Sequence, residues 1–427
     1  MQGDPTQQRD PLGWCVLIAL GFMALVWHRL GIPSQIYFDE VHYVTAARKL
    51  LAMERANTEH PLLGKEMIAA AIAVLGDKPL SWRIPSALLG AFGLFAFGRL
   101  VWWASLRRFA ALAAMLLLAT SFAWFIQSRI AMLDMIMAGL AMTALWQVAA
   151  AVRLPGAKVR LRLALAGVLL GLSLGAKWSV APVAMLPGLL FLAFRLRDHG
   201  RRFLIQSGTR PVPGIALWEA ALWLGVVPLV VYWATYLPAF LYPKDPVNPL
   251  DPVGWHRHMM TLQDSVTRLH PYRSIWADWV VNWRAVWYLY EPADGAQRGV
   301  LLIGNPFSML AGLPALLWCL WAGLWRRRGD ALAFAALYGA ALGLWLVTAK
   351  PIQFYYHYLL PGTFLMACLA LALDAVWTRG GKWRWAPLLS LGAALGMFVY
   401  FYPIISAAPL HEGRQSYAKW MWLDSWR

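Results

Sequence analysis

Two adjacent carboxylates, Asp39 and Glu40, follow the first apolar run of the chain and lie among aromatic residues. A carboxylate in such a place can act as a general base or bind a cation. On a helix, Asp39, His42 and Tyr43 share one face. Helix capping is the alternative, because a carboxylate near a helix N-terminus accepts hydrogen bonds from unpaired backbone amides.

Two further segments place cations beside apolar runs. Glu59 and His60 form a charged turn that leads to Lys65, and Arg83 stands where another apolar run begins. An ammonium group can bind a phosphate, and a guanidinium matches phosphate geometry more closely. The alternatives are an interfacial turn whose lysine extends into water, and an arginine that reaches lipid headgroups.

Three more groups of polar residues stand at the ends of apolar runs. Arg129 precedes Asp134, which lies one turn inside a run, and Lys177 lies in a tight turn between two runs. Tyr356 and His357 stand at the start of a later run. Each group is a candidate for a functional site. A structural ion pair for Arg129 and Asp134, and a hydrogen-bonded structural histidine, stay open as alternatives.

The composition predicts an all-α polytopic membrane protein. Of the 427 residues, 60% are hydrophobic and 14% are charged, whereas soluble domains carry about 25% charged residues. The net charge of +17 comes from basic clusters between the apolar runs, as in cytoplasmic loops, so we expect no nucleic-acid partner. The three cysteines lie inside apolar segments, and their spacing indicates neither a zinc site nor a disulfide.

Repeated apolar runs of about 20 residues predict about eleven transmembrane helices. They lie at about 12–30, 82–103, 109–127, 131–151, 163–176, 178–195, 215–236, 300–325, 331–348, 355–376 and 385–402. The first is expected to be retained rather than cleaved as a signal peptide, because no small-residue cleavage site follows it.

The dense basic clusters fall on alternate connections, which places them all in the cytoplasm by the positive-inside rule. The N-terminus is then cytoplasmic, and the segments 31–80 and 237–298 and the C-terminal tail lie outside. Residues 40–55 and 254–270 have apolar residues at helical spacing. We predict that they form helices on the membrane surface.

In this topology all the polar groups described above reach the same outer boundary. Independent structural charges would scatter over both sides. Carboxylates with several cations at a lipid boundary suit one chemistry, in which the cations bind an anionic lipid headgroup and a carboxylate activates an acceptor. The chain then divides into an N-terminal transmembrane half with a catalytic outer loop (1–236), an outer loop (237–298) and a C-terminal four-helix region with an outer tail (299–427).

These motifs, in this order, resemble the protein O-mannosyltransferase family, the polyprenyl-phosphate-mannose–protein mannosyltransferases of the GT-C glycosyltransferase class. The resemblance spans nearly the whole chain. The matching segments are 38–42, 59–65, 83–90, 129–134, 177–178, 270–279, 304–306, 356–358 and 402–426. Leu62 and Asn282 depart from the pattern, since each stands where a proline is expected. The outer loop is too short for the β-trefoil domain of eukaryotic members, so the chain looks like a compact bacterial-type member.

The resemblance implies an inverting enzyme that moves a sugar, expected to be mannose, from a polyprenyl-phosphate donor to Ser or Thr hydroxyls of secreted or membrane proteins. Asp39 is expected to be the general base, and Glu40 to orient it. The donor phosphate is expected to contact Arg83, Lys65, Lys177 and Arg129. Supporting roles near the acceptor are expected for His42, Tyr43, Glu59, His60, Asp134, Tyr356 and His357.

No cofactor and no metal is expected, although Glu40 could instead hold a divalent ion, as in related oligosaccharyltransferases. The predicted location is the bacterial inner membrane, with the active site and the C-terminus on the periplasmic side. Two other functions stay open: a lipid-linked-sugar transferase that acts on lipid A or a glycan, and a transporter or flippase. Transporters place polar residues near the bilayer midplane, often with repeat symmetry, and this sequence shows neither feature.

Overall fold

The computed structural model describes residues 9–427 except 155, 157, 209, 266–269, 349, 351 and 412. Within these residues, nine helical segments are long and apolar enough to cross a membrane. Two shorter apolar helices, Leu12–Trp27 and Arg108–Ala119, complete the set. The nine and the two match the eleven predicted apolar runs one by one, so the predicted multi-pass helical fold is confirmed.

The helices of the first half begin and end as follows: α1 Leu12–Trp27, α2 Glu40–Leu51, α3 Leu63–Leu75, α4 Pro79–Ser105, α5 Arg108–Ala119, α6 Phe122–Gln127, α7 Leu133–Arg153, α8 Lys158–Ala176, α9 Ala181–His199, α10 Leu217–Ala221 and α11 Val227–Ala234. A π-helical turn, Leu222–Val226, joins α10 to α11, so the two form one span.

The second half contains two strands and the remaining helices: α12 Leu237–Phe240, α13 Pro252–Asp264, α14 Trp276–Val280, β1 Val286–Ala293, β2 Ala296–Leu302, α15 Pro306–Leu324, α16 Gly329–Val347, α17 Leu359–Trp377 and α18 Trp385–Ile405. A 3₁₀ turn, Tyr355–Tyr358, leads into α17. Further 3₁₀ turns are Trp178–Val180, Gly200–Arg202, Gly381–Arg384, Gly413–Gln415, Ala418–Trp420 and Asp424–Trp426.

Glycine allows the central helices α4 and α7 to pack closely. A Cβ atom on Gly139 would lie 2.5 Å from the backbone oxygen of Leu89, and one on Gly93 would lie 2.8 Å from the Cα atom of Gly139. Membrane helices associate through such small-residue contacts, because lipid provides no hydrophobic force between them. This contact brings the outer ends of α4 and α7 together, where Arg83 and Asp134 lie.

Two helices cross the first outer segment between α1 and α4. The helix predicted at 40–55 is confirmed as α2, which buries Tyr43, Val44 and Ala47 against the bundle. A second helix, α3, was not predicted as such; its first turn contains the buried Lys65. Together they hold the acidic motif against the outer ends of the spans.

The second outer segment contains a helix and a β-hairpin. The helix predicted at 254–270 is confirmed as α13 as far as Asp264, and residues 266–269 lie outside the described residues. The predicted start of a helix at residue 300 is wrong: residues up to Leu302 belong to β2, and α15 starts at Pro306. The hairpin turns at Asp294 and Gly295, both with positive φ, as a two-residue turn requires.

The hairpin connects the outer segments to each other. The carboxylate of Asp294 at its turn accepts a hydrogen bond of 2.9 Å from the backbone N–H of Ser34, just ahead of the acidic motif. In the C-terminal tail, the N–H of Leu410 donates to the carbonyl of Gln297 on β2. The predicted division of the chain at residue 298 falls within β2.

Candidate functional site

Asp39 stands at the start of α2, yet its side chain caps no helix amide. Among the described residues its carboxylate has no hydrogen-bond or ion-pair partner, and it is half-buried. Burial raises the pKa of Asp39 to about 6, although the nearby charge of Lys177 lowers it. An unpaired carboxylate with such a pKa is suited to accept a proton near neutral pH.

Glu40, the next residue, is engaged in a buried ion pair. Its two carboxylate oxygens accept hydrogen bonds of 2.8 and 2.9 Å from Nε and Nη2 of Arg83, and both side chains are fully buried. One of these oxygens also accepts the backbone N–H of Ala131 at 3.0 Å. Glu40 therefore ties α2 to α4 and to the start of α7, and it supports the position of its neighbour Asp39.

Arg83 uses all five of its N–H groups within the protein. Besides the two bonds to Glu40, Nη1 donates to the carbonyls of Leu30 and Pro33 at 3.1 and 2.8 Å, and Nη2 donates to the carbonyl of Gln35 at 3.2 Å. A guanidinium has five donors. Arg83 therefore has no N–H group left to bind the phosphate of the sugar donor, which is the contact that the resemblance assigned to it.

Two other predicted phosphate ligands also donate to backbone carbonyls. The ammonium of Lys65 donates to the carbonyls of Asn57 and His60 at 2.5 and 2.8 Å, and its side chain is fully buried. Burial lowers the pKa of Lys65 to about 7. The Nη1 atom of Arg129 donates to the carbonyls of Val26 and His28 at the end of α1. Both cations therefore shape the loops around the site.

Lys177 and Asp134 form a second buried pair at the outer ends of α8 and α7. The Nζ atom of Lys177 lies 2.8 Å from each carboxylate oxygen of Asp134. The same ammonium lies 5.0 Å from the ring centroid of Tyr356. Its charge lowers the pKa of Asp39, so the pair lies within electrostatic range of this carboxylate.

Lys350, which precedes the segment of Tyr356 and His357, supplies a cation that the sequence-based assignments left out. Among the described residues its ammonium has no hydrogen-bond partner, and it is half-buried. Burial, together with the charge of Lys177, lowers the pKa of Lys350 to about 8. The charges of Asp134 and Asp39 raise that pKa, so Lys350 lies within electrostatic range of both carboxylates. The available signal in the sequence was that Lys350 stands just before a predicted span, at the end predicted to be the outer one.

The predicted supporting residues of the first outer segment also gather here. Tyr43 is buried with its ring centroid 6.1 Å from that of His60, whereas His42 is exposed. Burial lowers the pKa of His60 well below its usual range, so the ring is neutral near pH 7. The carbonyl of Glu59 accepts a hydrogen bond of 2.7 Å from the side chain of Gln263 on α13, which links the two outer segments.

Sequence reasoning missed the aromatic support for the acidic motif. Tyr288 on β1 stacks on Phe38, with ring centroids 3.8 Å apart and ring planes 18° apart. Tyr356 also contacts Phe38, with ring centroids 6.1 Å apart and ring planes 78° apart. The available signal was the Asp294-Gly295 pair, which favours a hairpin and so places an aromatic strand here.

At Asn282 the structure explains one departure from the family pattern. The backbone φ of Asn282 is +57°, which the proline ring cannot adopt and asparagine tolerates. Its side chain exchanges hydrogen bonds of 2.8 and 3.0 Å with the backbone of Gly304 and accepts one of 2.8 Å from the hydroxyl of Tyr355. Asn282 therefore anchors the chain on both sides of the hairpin.

Comparisons with known protein families identify the family of the chain. The family model for dolichyl-phosphate-mannose-protein mannosyltransferase matches residues 15–87 and 80–242. The model for the C-terminal four-span region of protein-O-mannosyltransferase matches residues 252–426. The chain belongs to the protein O-mannosyltransferase family. The resemblance noted in the sequence is thereby confirmed over nearly the full length.

Known protein mannosyltransferases resemble this family member along most of their length. A polyprenol-phosphate-mannose–protein mannosyltransferase of Mycolicibacterium smegmatis is 24% identical, with 97% of this chain and 93% of the relative covered. The protein of the same name from Mycobacterium tuberculosis is 26% identical over 97% and 92% of the two chains. A relative from Corynebacterium glutamicum is 25% identical over 98% and 94%.

Solved structures confirm the GT-C fold expected for the family. The Saccharomyces cerevisiae protein O-mannosyltransferase Pmt1-Pmt2 complex bound to the sugar donor superimposes with a TM-score of 0.82 at 14% identity, covering 99% of this chain and 93% of that chain. ArnT from Cupriavidus metallidurans bound to undecaprenyl phosphate gives 0.62 at 16% identity, covering 93% and 77%. At these identities the likeness concerns the fold alone.

Proposed function

We propose that this protein transfers mannose, with inversion, from a polyprenyl-phosphate donor to Ser or Thr hydroxyls of secreted or membrane proteins. The observation that carries the proposal is the unpaired carboxylate of Asp39 within electrostatic range of the cations Lys177 and Lys350. A base and cations are the groups that transfer from a lipid phosphate requires. The names of the relatives and of the family model support mannose and a protein acceptor.

Asp39 is the general base of the proposed reaction. Its carboxylate accepts the proton of the acceptor hydroxyl while the hydroxyl oxygen attacks the anomeric carbon of the sugar. The bond between that carbon and the phosphate oxygen breaks on the opposite side, and the polyprenyl phosphate leaves with the electron pair. A phosphate monoester is a good leaving group, so no general acid is needed.

Lys350 and Lys177 are the cations that we assign to the donor phosphate. Among the described cations at the site, Lys350 is the one whose ammonium has no partner. Lys177 is paired with Asp134, and its charge also acts on Lys350. Charges held in place before the reaction stabilise a leaving phosphate without further reorganisation.

Arg83, Lys65 and Arg129 receive a positioning role in place of the phosphate contact expected from the resemblance. Their N–H groups hold backbone carbonyls of the two loops that flank Asp39. Tyr43, Glu59, His60 and Tyr356 support the same region. We assign the exposed side chain of His42 to contact with the acceptor.

We further propose that the reaction needs no metal and that the site faces the periplasm of a bacterial inner membrane, with a cytoplasmic N-terminus. Basic loops on alternate connections support this orientation. Chelation by EDTA is expected to leave transfer unchanged. Cysteine labelling with an impermeant reagent at the exposed positions 9 and 424 would report the sidedness of the two termini.

Transfer by the purified protein in liposomes tests the proposal. With polyprenyl-phosphate [¹⁴C]mannose and a Ser/Thr-rich peptide, the wild type is expected to label the peptide. Asp39→Asn is expected to lower the rate by about 100-fold or more, since general bases typically contribute this much. Asp424→Asn, at an exposed carboxylate in the tail, is the matched control.

The acceptor decides between the proposal and its alternatives. Label in lipid A or a glycan, with none in the peptide, would replace the protein acceptor by the lipid-linked alternative. Movement of donor across the membrane without a covalent product would instead show a flippase. Full activity of Asp39→Asn would remove the general base.

A further inference from the structure

A small cavity lies where the outer ends of α7, α16 and α17 meet. Its polar and aromatic walls are formed by Asp134, Ser179, Trp345, Tyr356 and His357. It has room for a group about the size of one water molecule. Asp134 and Tyr356 connect it to the candidate site, because Lys177 pairs with the first and lies over the ring of the second.

The imidazole of His357 lines this cavity and carries one buried hydrogen-bond donor without a partner in the described part of the chain. The backbone N–H of Phe354 donates to Nδ1 of His357 at 3.0 Å, so the hydrogen of the neutral ring resides on Nε2. The side chain is 5% exposed, and Nε2 has no partner among the described residues. A buried N–H group without a partner is costly and calls for an acceptor.

Packing holds this donor in one orientation. The ring of Trp345 lies 3.9 Å from that of His357, centroid to centroid, and the ring of Trp279 lies at 5.8 Å. The imidazole cannot turn away without losing these contacts and the bond to Phe354. Its Nε2 is therefore a fixed donor.

An acceptor stands on another wall of the same cavity. The carboxylate of Asp134 is held by Lys177, whose ammonium lies 2.8 Å from each oxygen. An ionised carboxylate has about four acceptor positions, so sites are left for further donors. A group that accepts a hydrogen bond from His357 and donates one to Asp134 satisfies the polar side chains on both walls. A hydroxyl is the smallest substituent that does so.

We propose that this cavity receives one hydroxyl group of the transferred sugar, which accepts from Nε2 of His357 and donates to Asp134. The assignment rests on the proposed sugar transfer and adds to it a determinant of which sugar is taken. A donor sugar that lacks this hydroxyl leaves the His357 donor unpaired, and sites built around a hydroxyl reject such analogues strongly. His357 thus contacts the substrate away from the bond that breaks.

A series of polyprenyl-phosphate mannose donors, each lacking one ring hydroxyl, tests the assignment. With the wild type, one member is expected to show kcat/KM at least about 10-fold below the complete donor. His357→Phe keeps an aromatic ring but removes the N–H group. It is expected to lower kcat/KM for the complete sugar donor by about the same factor. It is also expected to use that one analogue as well as it uses the complete sugar donor. His357→Gln, which offers an amide N–H, is expected to recover part of the preference.

The control is His258→Phe at an exposed histidine on α13, which is expected to keep the wild-type pattern. Two results overturn the assignment: a wild type that uses every deoxy donor within about 2-fold of the complete one, or a His357→Phe variant with unchanged discrimination. If His357→Phe does not fold, the test rests on the deoxy-donor series with the wild type and on the same series with His357→Gln. A wild type that transfers no mannose to any acceptor would instead reject the proposed function itself.

Discussion

The ring of Tyr288 stacks on Phe38 at 3.8 Å, immediately ahead of Asp39 in the chain. Phe38 has φ of +50°, a conformation that costs a residue other than glycine free energy unless its surroundings hold it. Gln127 fixes Tyr288 in turn, since its side-chain N–H donates to the phenol oxygen at 2.9 Å. The hairpin therefore holds the backbone that carries the proposed base.

Removal of this stack is expected to slow transfer without a matching loss of donor binding. Tyr288→Leu loses the ring contact, so Asp39 is less well placed, and kcat is expected to fall on the order of 10- to 100-fold. Tyr288→Phe keeps the stack and is expected to lose less. Tyr290→Leu changes ring contacts of the hairpin with Trp287 and Tyr417 instead and serves as the control. Equal kinetics for Tyr288→Leu and Tyr290→Leu would contradict the positioning role.

The acid side of the pH profile is expected to follow Asp39. The base must be deprotonated to act, so kcat/KM is expected to rise with pH and to level off above about 6, the pKa to which burial raises this group. Lys177 lowers that pKa. Lys177→Met is therefore expected to move the acid limb to higher pH. Initial rates from pH 4.5 to 9 check both points, and an acid limb that stays in place in Lys177→Met would count against them.

The alkaline side is expected to follow Lys350, whose pKa is lowered to about 8 by burial and by Lys177. A lysine that has lost its proton no longer attracts a phosphate, so kcat/KM is expected to fall above about pH 8. Lys350→Arg keeps the charge because the guanidinium pKa lies above about 12, and the alkaline limb is expected to disappear. Lys350→Met is expected to raise the donor KM at every pH. An alkaline limb that persists in Lys350→Arg would point to Lys65, with a pKa of about 7.

The Glu40–Arg83 pair is expected to matter for stability, because both groups are fully buried. Arg83→Met leaves Glu40 without its partner, and breaking a buried pair in this way costs about 3–5 kcal/mol. Arg48→Met breaks a pair of the same 2.8 Å length whose side chains are both 42% exposed, and such a loss costs about 1 kcal/mol or less. Thermal unfolding in detergent compares the two variants. Equal melting temperatures would show that burial does not strengthen the dependence on this pair.

Some helices and strands of the two outer segments could be predicted from the sequence, and others could not. The helix at 40–55 has a clear apolar periodicity, so α2 was predicted. The helix α3 and strand β2 lie in short apolar stretches, in which helix, strand and loop look alike to a periodicity argument. Residues 300–302 were therefore joined to the span that follows them, although they pair with β1.

The amino-acid sequence by itself determined the apolar spans, and it predicts their sidedness and the side on which the polar groups collect. Apolar runs of sufficient length must form helices in lipid, because every backbone hydrogen bond has to be made within the segment. Basic loops then orient those helices. These are local properties, so they can be read without knowledge of which residues meet.

Only the tertiary structure decided which charged side chains are paired within the protein and which have no partner among the described residues. Arg83 and Lys350 both stand at the outer end of an apolar run, and nothing local distinguishes them. Arg83 meets Glu40 and carbonyls that lie 43 to 53 residues earlier in the chain, whereas Lys350 meets no such partner among the described residues. A fully buried charge such as that of Arg83 must be paired, but the chain path through space selects the partner.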